Sequence, residues 1–210
     1  MGKSSSGGAG APISGEVGGL IFYISGGNQY TRAKGQTGKN TKTEGAKSNR
    51  RGFGNMQLWL NPLQPVLELG FKNDIPHVGA YSYAISYITK NARTGKGKDA
   101  VIHPEKFRIS IGQLPMPSSV SAELEGQELV ISWDPALNGR QTNAYDQVLL
   151  AAYEVEQGFA VCLDQGLFRK DGTAKMPLQN PGTYHCYLGM AAKDLSQQGD
   201  GVYLGEFSVP

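Results

Sequence analysis

Ile111-Gly112-Gln113-Leu114-Pro115-Met116-Pro117 is the stretch on which the reading of the fold turns. Two prolines two residues apart, each lacking an N–H and each with φ fixed, cannot lie inside a helix or a central strand. The stretch therefore divides the chain. Residues 1–114 are basic and glycine-rich, with 15 Lys+Arg against 6 Asp+Glu, an excess of 9 positive charges. Residues 115–210 carry 5 against 12, an excess of 7 negative charges, so the formal net charge of +2 hides a polar chain. Such a split can orient head-to-tail association of identical subunits, or present one basic face to a polyanion.

Downstream of the prolines, apolar alternation and turn residues recur at intervals of about ten residues, the spacing of a β-sandwich. Strands are expected at 119–124, 129–133, 147–154, 159–163, 174–178, 183–190 and 202–209. In the second, Leu129, Ile131 and Trp133 point one way and Val130 and Ser132 the other. In the sixth, Tyr184, Cys186, Leu188 and Met190 alternate with His185, Tyr187 and Gly189.

Upstream, residues 1–14 read as a Gly/Ser/Ala arm, flexible alone and ordered by neighbouring subunits in an assembly. Nine of the 29 glycines fall in the first 27 positions. Val17 to Lys34 reads as a β-hairpin about Gly26-Gly27-Asn28, and two strands alone bury too little to stand without a partner. A helix is expected from about Thr43, kinked or restarted at Pro62 and Pro65 and ended near Gly70. A second runs from about Gly79 to Ala92, and a strand is expected at 107–111. The fold class expected is α+β: an arm at 1–14, a small hairpin-plus-helices domain at 15–112, and an immunoglobulin-like antiparallel β-sandwich at 117–210.

The segments LEGQELVISWDPA (124–136) and LQNPGTYHCYLGMAA (178–192) resemble a fibronectin type III or related immunoglobulin-like sandwich. The likeness lies in Trp133 before a proline and in Leu178 with Tyr184, which resemble a core tryptophan and a tyrosine corner. Nearly the whole chain resembles a family of proteins of similar length and unknown function from Bacteroidota bacteria. The matching segments are GAPISGEVGGLIFY (10–23), YTRAKG (30–35), LNPLQPVLELGFKND (60–74), AYSYAISYITKNARTG (80–95), ISIGQLPMP (109–117) and VYLGEFSV (202–209). That resemblance implies no activity.

The residues themselves supply little catalytic chemistry. His77, His103 and His185 have no His or Cys at metal-ligand spacing, so no metal or other cofactor is expected. His185 reads as an exposed strand residue. Cys162 and Cys186 read as buried thiols, poor nucleophiles and not a disulfide. Gly15-Glu16-Val17-Gly18-Gly19 lacks the Gly-Lys-Ser/Thr of a phosphate loop and precedes a strand, so its glycines read as packing positions. Tyr81, Tyr83 and Tyr87 read as the seam between a helix and a sheet. The basic set Lys34, Lys39, Lys42, Lys47, Arg50 and Arg51, flanked by Tyr30 and Phe53, is the candidate contact for a neighbouring subunit or for nucleic acid. The N-terminus lacks the apolar core of a secretory signal, and no stretch is apolar and long enough to span a membrane. Cytoplasmic synthesis is therefore expected, with the product in a virion or released assembly.

The expectation is a non-enzymatic structural protein that self-assembles through its arm and hairpin, in a phage-like particle or filament, as a homo-oligomer. The alternatives are a nucleic-acid-binding protein using residues 30–53, and a glycan- or protein-binding adhesin.

Overall fold

The computed structural model describes residues 3–4, 13–25, 27–35, 43–73, 79–95 and 97–210. The chain divides into two compact units, Met1–Ala46 and Lys47–Pro210.

The first unit is a four-stranded antiparallel sheet in the order β1 (Lys3–Ser4), β2 (Ile13–Val17), β3 (Leu20–Ser25), β4 (Asn28–Ala33). The expected hairpin is β3–β4, and β2 extends it. Gly18 and Gly19 join β2 to β3 with φ of +58° and +79°, and a Cβ at either would meet none of the described residues within 4 Å. They serve a tight left-handed turn that matches strand twist. Most of the expected arm lies outside the described residues; Lys3 and Ser4 pair with Ser14 and Ile13.

The second unit has three layers. α1 (Glu44–Leu60), which begins at the division, α2 (Gln64–Gly70) and α3 (Ala80–Asn91) form the first. The Thr43 hydroxyl accepts the Ala46 N–H at 3.3 Å, an N-cap. Pro62 and Pro65 interrupt α1 as expected, through a 3-10 turn at Asn61–Leu63. A short pair, β5 (Arg93–Thr94) and β6 (Val101–Ile102), follows.

The other two layers are a sandwich of β7 (Val120–Glu125), β8 (Glu128–Trp133), β9 (Gln147–Glu154), β10 (Phe159–Leu163), β11 (Thr173–Pro177), β12 (Gly182–Ala191) and β13 (Val202–Val209). One sheet runs β11-β8-β7 and the other β10-β9-β12-β13. This three-plus-four arrangement of antiparallel strands is immunoglobulin-like. Trp133 and Tyr184 are buried, and the Tyr184 hydroxyl donates to the Asn180 carbonyl at 2.9 Å, closing the tyrosine corner. The α+β class and the sandwich expected from the pattern are both present.

β9 shows why the helices and sandwich cannot be parted at the prolines. Val148, Leu150 and Ala152 face the second sheet, packing with Leu129, Ile131, Met176 and Leu188. Leu149, Ala151 and Tyr153 face the helices, packing with Leu60, Leu63, Val66, Leu67 and Ile88. Two cores share one sheet, so the boundary expected at 112–117 falls inside a single compact unit.

The expected strand at 107–111 is an extended segment without a ladder. It wedges between layers: Ile111 N–H donates to the Gly70 carbonyl, Gly201 N–H to the Ser110 carbonyl, and Leu114 N–H to the Gln198 carbonyl. Gly70 permits this crossing, since a Cβ there would stand 2.0 Å from the Ile109 carbonyl oxygen.

Candidate functional site

The basic candidate set is divided between the units. Lys34, in the first, is exposed and pairs with Glu16 at 2.6 Å. Lys39 and Lys42 lie outside the described residues. Lys47, Arg50 and Arg51, in the second, are exposed on α1 at the i, i+3, i+4 spacing of one helical stripe. Of the flanking aromatics, Tyr30 stacks on Tyr23 at 5.6 Å, and Phe53 is half-exposed on α1.

The first unit presents a second candidate. None of its described residues is buried. The register places Gly15 opposite Phe22, Val17 opposite Leu20 and Leu20 opposite Ala33, so Ile13, Val17, Leu20, Phe22, Ile24 and Ala33 share one face. Val17 and Ile24 are 52% and 47% exposed. That face also holds Thr31 and Gln29, and the opposite face carries Glu16, Ile21, Tyr23, Tyr30 and Arg32. The first face is the more apolar, and among the described residues of its own unit it has no core.

His185 is half-buried rather than exposed: its Nδ1 lies 2.9 Å from the Tyr203 hydroxyl, and burial holds its pKa below the ordinary imidazole value. His103 lies 3.4 Å from Glu105 and 2.8 Å from the Thr94 hydroxyl. His77 lies outside the described residues. Cys186 is buried as expected and Cys162 only half-buried; both are free thiols whose pKa burial pushes up to about 12, with Asp164 adding to the effect at Cys162. Cys162 pairs with Ala151 on the helix side of the sheet and Cys186 with Ala152 on the sandwich side, so the two face opposite ways. Among the described residues no group of three or more His, Cys, Asp or Glu could hold a metal. No helix among them is long and apolar enough to cross a membrane.

Two surface grooves accompany these groups. One of about 470 Å³ runs past Tyr87, Glu105, Arg108, Asp200 and Tyr203, with Arg108 paired to Asp200 at 2.7 Å. Another of about 510 Å³ lies between α1 and α3, with Phe53, Tyr81 and Ile85 on its walls. Tyr83 and Tyr87 pack on Phe71, at the end of α2, at 5.9 and 5.8 Å between ring centroids, and the Tyr81 hydroxyl donates to Asn61 Oδ1 at 2.9 Å, contacts among the helical segments rather than with a sheet.

One cluster escapes sequence inspection. Tyr145, Phe168, Lys170 and Lys193 come from three separate loops, 134–146, 164–172 and 192–201, and meet at one end of the sandwich. Each is an ordinary loop residue in sequence, and only the strand order assembles them.

These features define an immunoglobulin-like β-sandwich protein backed by helices and joined to an N-terminal sheet. A family model described as "Family of unknown function (DUF6266)" matches residues 12–205, and the chain belongs to that family. No curated protein matches it. Among solved structures it is similar to the FN1–FN3 domains of chicken CNTN1, at 13% identity and a TM-score of 0.37. That match covers 47% of this chain and spans only 33% of the other. The strand order, not this likeness, carries the fold assignment.

Proposed function

We propose that the protein is a non-enzymatic structural subunit that associates with copies of itself through its N-terminal sheet, in a phage-like particle or filament. The observation that carries this reading is the apolar face formed by Ile13, Val17, Leu20, Phe22 and Ile24 on a sheet with no buried residue among those described. A small isolated sheet is marginal in water and gains stability when a hydrophobic face is covered. Two such faces can stack about 10 Å apart and bury each other's side chains. Among the described residues β4 is an edge strand with one unpaired side, onto which a further strand can add. The opposite charge of the two halves of the chain supports ordered association.

Light scattering coupled to size-exclusion chromatography tests the proposal. Wild-type chain is expected to show a mass that rises with concentration. Phe22→Glu, which places a charge at the centre of the apolar face, is expected to shift it toward monomer. A monomer at every concentration overturns the reading.

A second reading rests on the exposed α1 stripe of Lys47, Arg50 and Arg51: contact with nucleic acid. It calls for affinity that falls steeply with salt and that is lost on Arg50→Glu with Arg51→Glu. Undetectable binding at low salt removes it.

A further inference from the structure

We propose that the second unit binds a nucleoside phosphate between α1 and the C-terminal end of α3, with the phosphate on Arg93 and Asn49 and the base on Phe53. Arg93, in β5, lines a pocket of about 360 Å³ together with Asn49, Thr89 and Gly95. The residue is half-buried, and its Nε is buried without a hydrogen-bond partner. Among the described residues no carboxylate lies within 4.0 Å of the guanidinium, and no acceptor is bonded to it. Nη1 and Nη2 are not walled off as Nε is, so they form the open end of the group. A guanidinium stays charged, and one partly removed from water without a counter-charge is an acceptor site for an anion.

The guanidinium is seated against α1. A Cβ on Gly52 would stand 3.1 Å from Arg93 Nη2 and 2.5 Å from the Gly97 carbonyl oxygen, so a glycine there leaves room for the group. Asn49 precedes Gly52 by three residues and shares its helix face. Its amide is exposed and bonded to none of the described residues. The Thr89 hydroxyl gives its proton to the Ile85 carbonyl at 2.7 Å, which leaves Arg93 and Asn49 as the side-chain donors of the pocket. The planar arginine fork matches two phosphate oxygens at once. The surrounding charge is not balanced: segments 44–53 and 89–99 carry 7 Lys+Arg against 2 Asp+Glu. Of those two acids, Asp99 makes no ion pair among the described residues, and Glu44 stands five residues before Asn49 on α1.

The neighbouring groove supplies the second half of the ligand. The groove of about 510 Å³ between α1 and α3 adjoins this pocket and shares Thr89 as a wall. Phe53, one turn beyond Asn49 on α1, lines it, is 52% exposed and packs on no other ring of the described residues. Ile85 gives the groove an apolar floor, and Lys90 stands at its edge. Arg50, at i−3 from Phe53, adds an exposed cation on the same side of α1. An open aromatic face beside an arginine-lined phosphate pocket is the combination that holds a nucleotide, the base by stacking and the phosphate by charge. Where the nucleotide belongs to a strand, the inference rests on the nucleic-acid reading above; a free nucleotide needs only the pocket and groove.

The test is a set of 15N–1H NMR titrations of the full chain at low, constant ionic strength with inorganic phosphate, thymidine 5′-monophosphate and single-stranded oligothymidylate. Saturable shifts centred on residues 49–53 and 89–95 are expected, with the mononucleotide bound about threefold or more tighter than phosphate. Arg93→Gln is expected to weaken the mononucleotide about tenfold or more, and so is Asn49→Asp. Asn49 is exposed, so the second variant keeps the native spectrum even if the first disturbs β5. Phe53→Ala is expected to weaken the mononucleotide and leave inorganic phosphate unchanged. A linear response, shifts centred elsewhere, a mononucleotide bound no tighter than phosphate, or unchanged binding in the Asn49 and Arg93 variants overturns the site. Oligothymidylate bound through the same residues identifies a strand as the source. Mononucleotide bound without oligothymidylate supports the pocket and removes the nucleic-acid reading. Oligothymidylate bound equally well by wild type and Arg93→Gln overturns the pocket and leaves that reading standing.

Discussion

Leu149→Ala is expected to destabilise the second unit as much as Leu150→Ala, although the two side chains point to opposite faces of β9. Both are fully buried, Leu149 against the helices and Leu150 against the second sheet. Each substitution removes roughly three methylene-equivalents, about 2.4 kcal/mol at ~0.8 kcal/mol each. A partly relaxed cavity adds to that, and buried Leu→Ala changes cost about 2–5 kcal/mol in total. Leu58, 70% exposed on α1, supplies the control, and its change to alanine is expected to stay within about 0.5 kcal/mol. Urea unfolding followed by tryptophan fluorescence reads all three, because Trp59 packs on the helix side and Trp133 in the sandwich core. The expected result is one transition, an unchanged slope and similar falls in midpoint for the two β9 variants. A loss below about 1 kcal/mol for Leu149→Ala beside a full loss for Leu150→Ala would refute the shared-sheet account and restore a boundary at the prolines.

Three further outcomes follow from particular contacts. Gly70→Ala is expected to lower stability by at least about 1–3 kcal/mol in thermal unfolding, despite alanine's better helix propensity, because its Cβ meets the Ile109 carbonyl oxygen; a stabilised variant would contradict the crossing. Tyr184→Phe is expected to cost about 0.5–1.5 kcal/mol through loss of the bond to Asn180, and an unchanged midpoint would deny the corner an energetic part. Cys162 and Cys186 are expected to resist a thiol reagent at pH 8 in the folded protein and to react on unfolding. With thiol pKa values near 12 folded against 9.0 unperturbed, unfolding releases protons above pH 9, so their contribution to stability is present below pH 9 and lost between pH 9 and 12. Immediate modification of Cys186 in the native state would contradict its burial.

Much of the sandwich was legible because period-2 alternation and turn residues are local properties. β9, β10 and β13 fall where the pattern placed them, and Trp133 and Tyr184 occupy their expected core positions. The helix break at Pro62 was legible for the same reason, since a missing N–H acts on its own turn. The domain boundary was not, although a clue lay in Val148 to Tyr153: six apolar residues without alternation mark a strand buried on both faces. The segment 107–111 alternates like a strand, yet its hydrogen bonds go to Gly70 and the 198–201 loop, partners far away in sequence.

The charge split, the hairpin and the strand spacing were determined by the sequence itself, because each is written in the order of residues along the chain. Which faces share a core and which lysines come to lie beside the Tyr145 ring were decided only by tertiary structure. Those depend on strand order, and strand order joins residues 145, 170 and 193 through packing energies summed over the whole sheet.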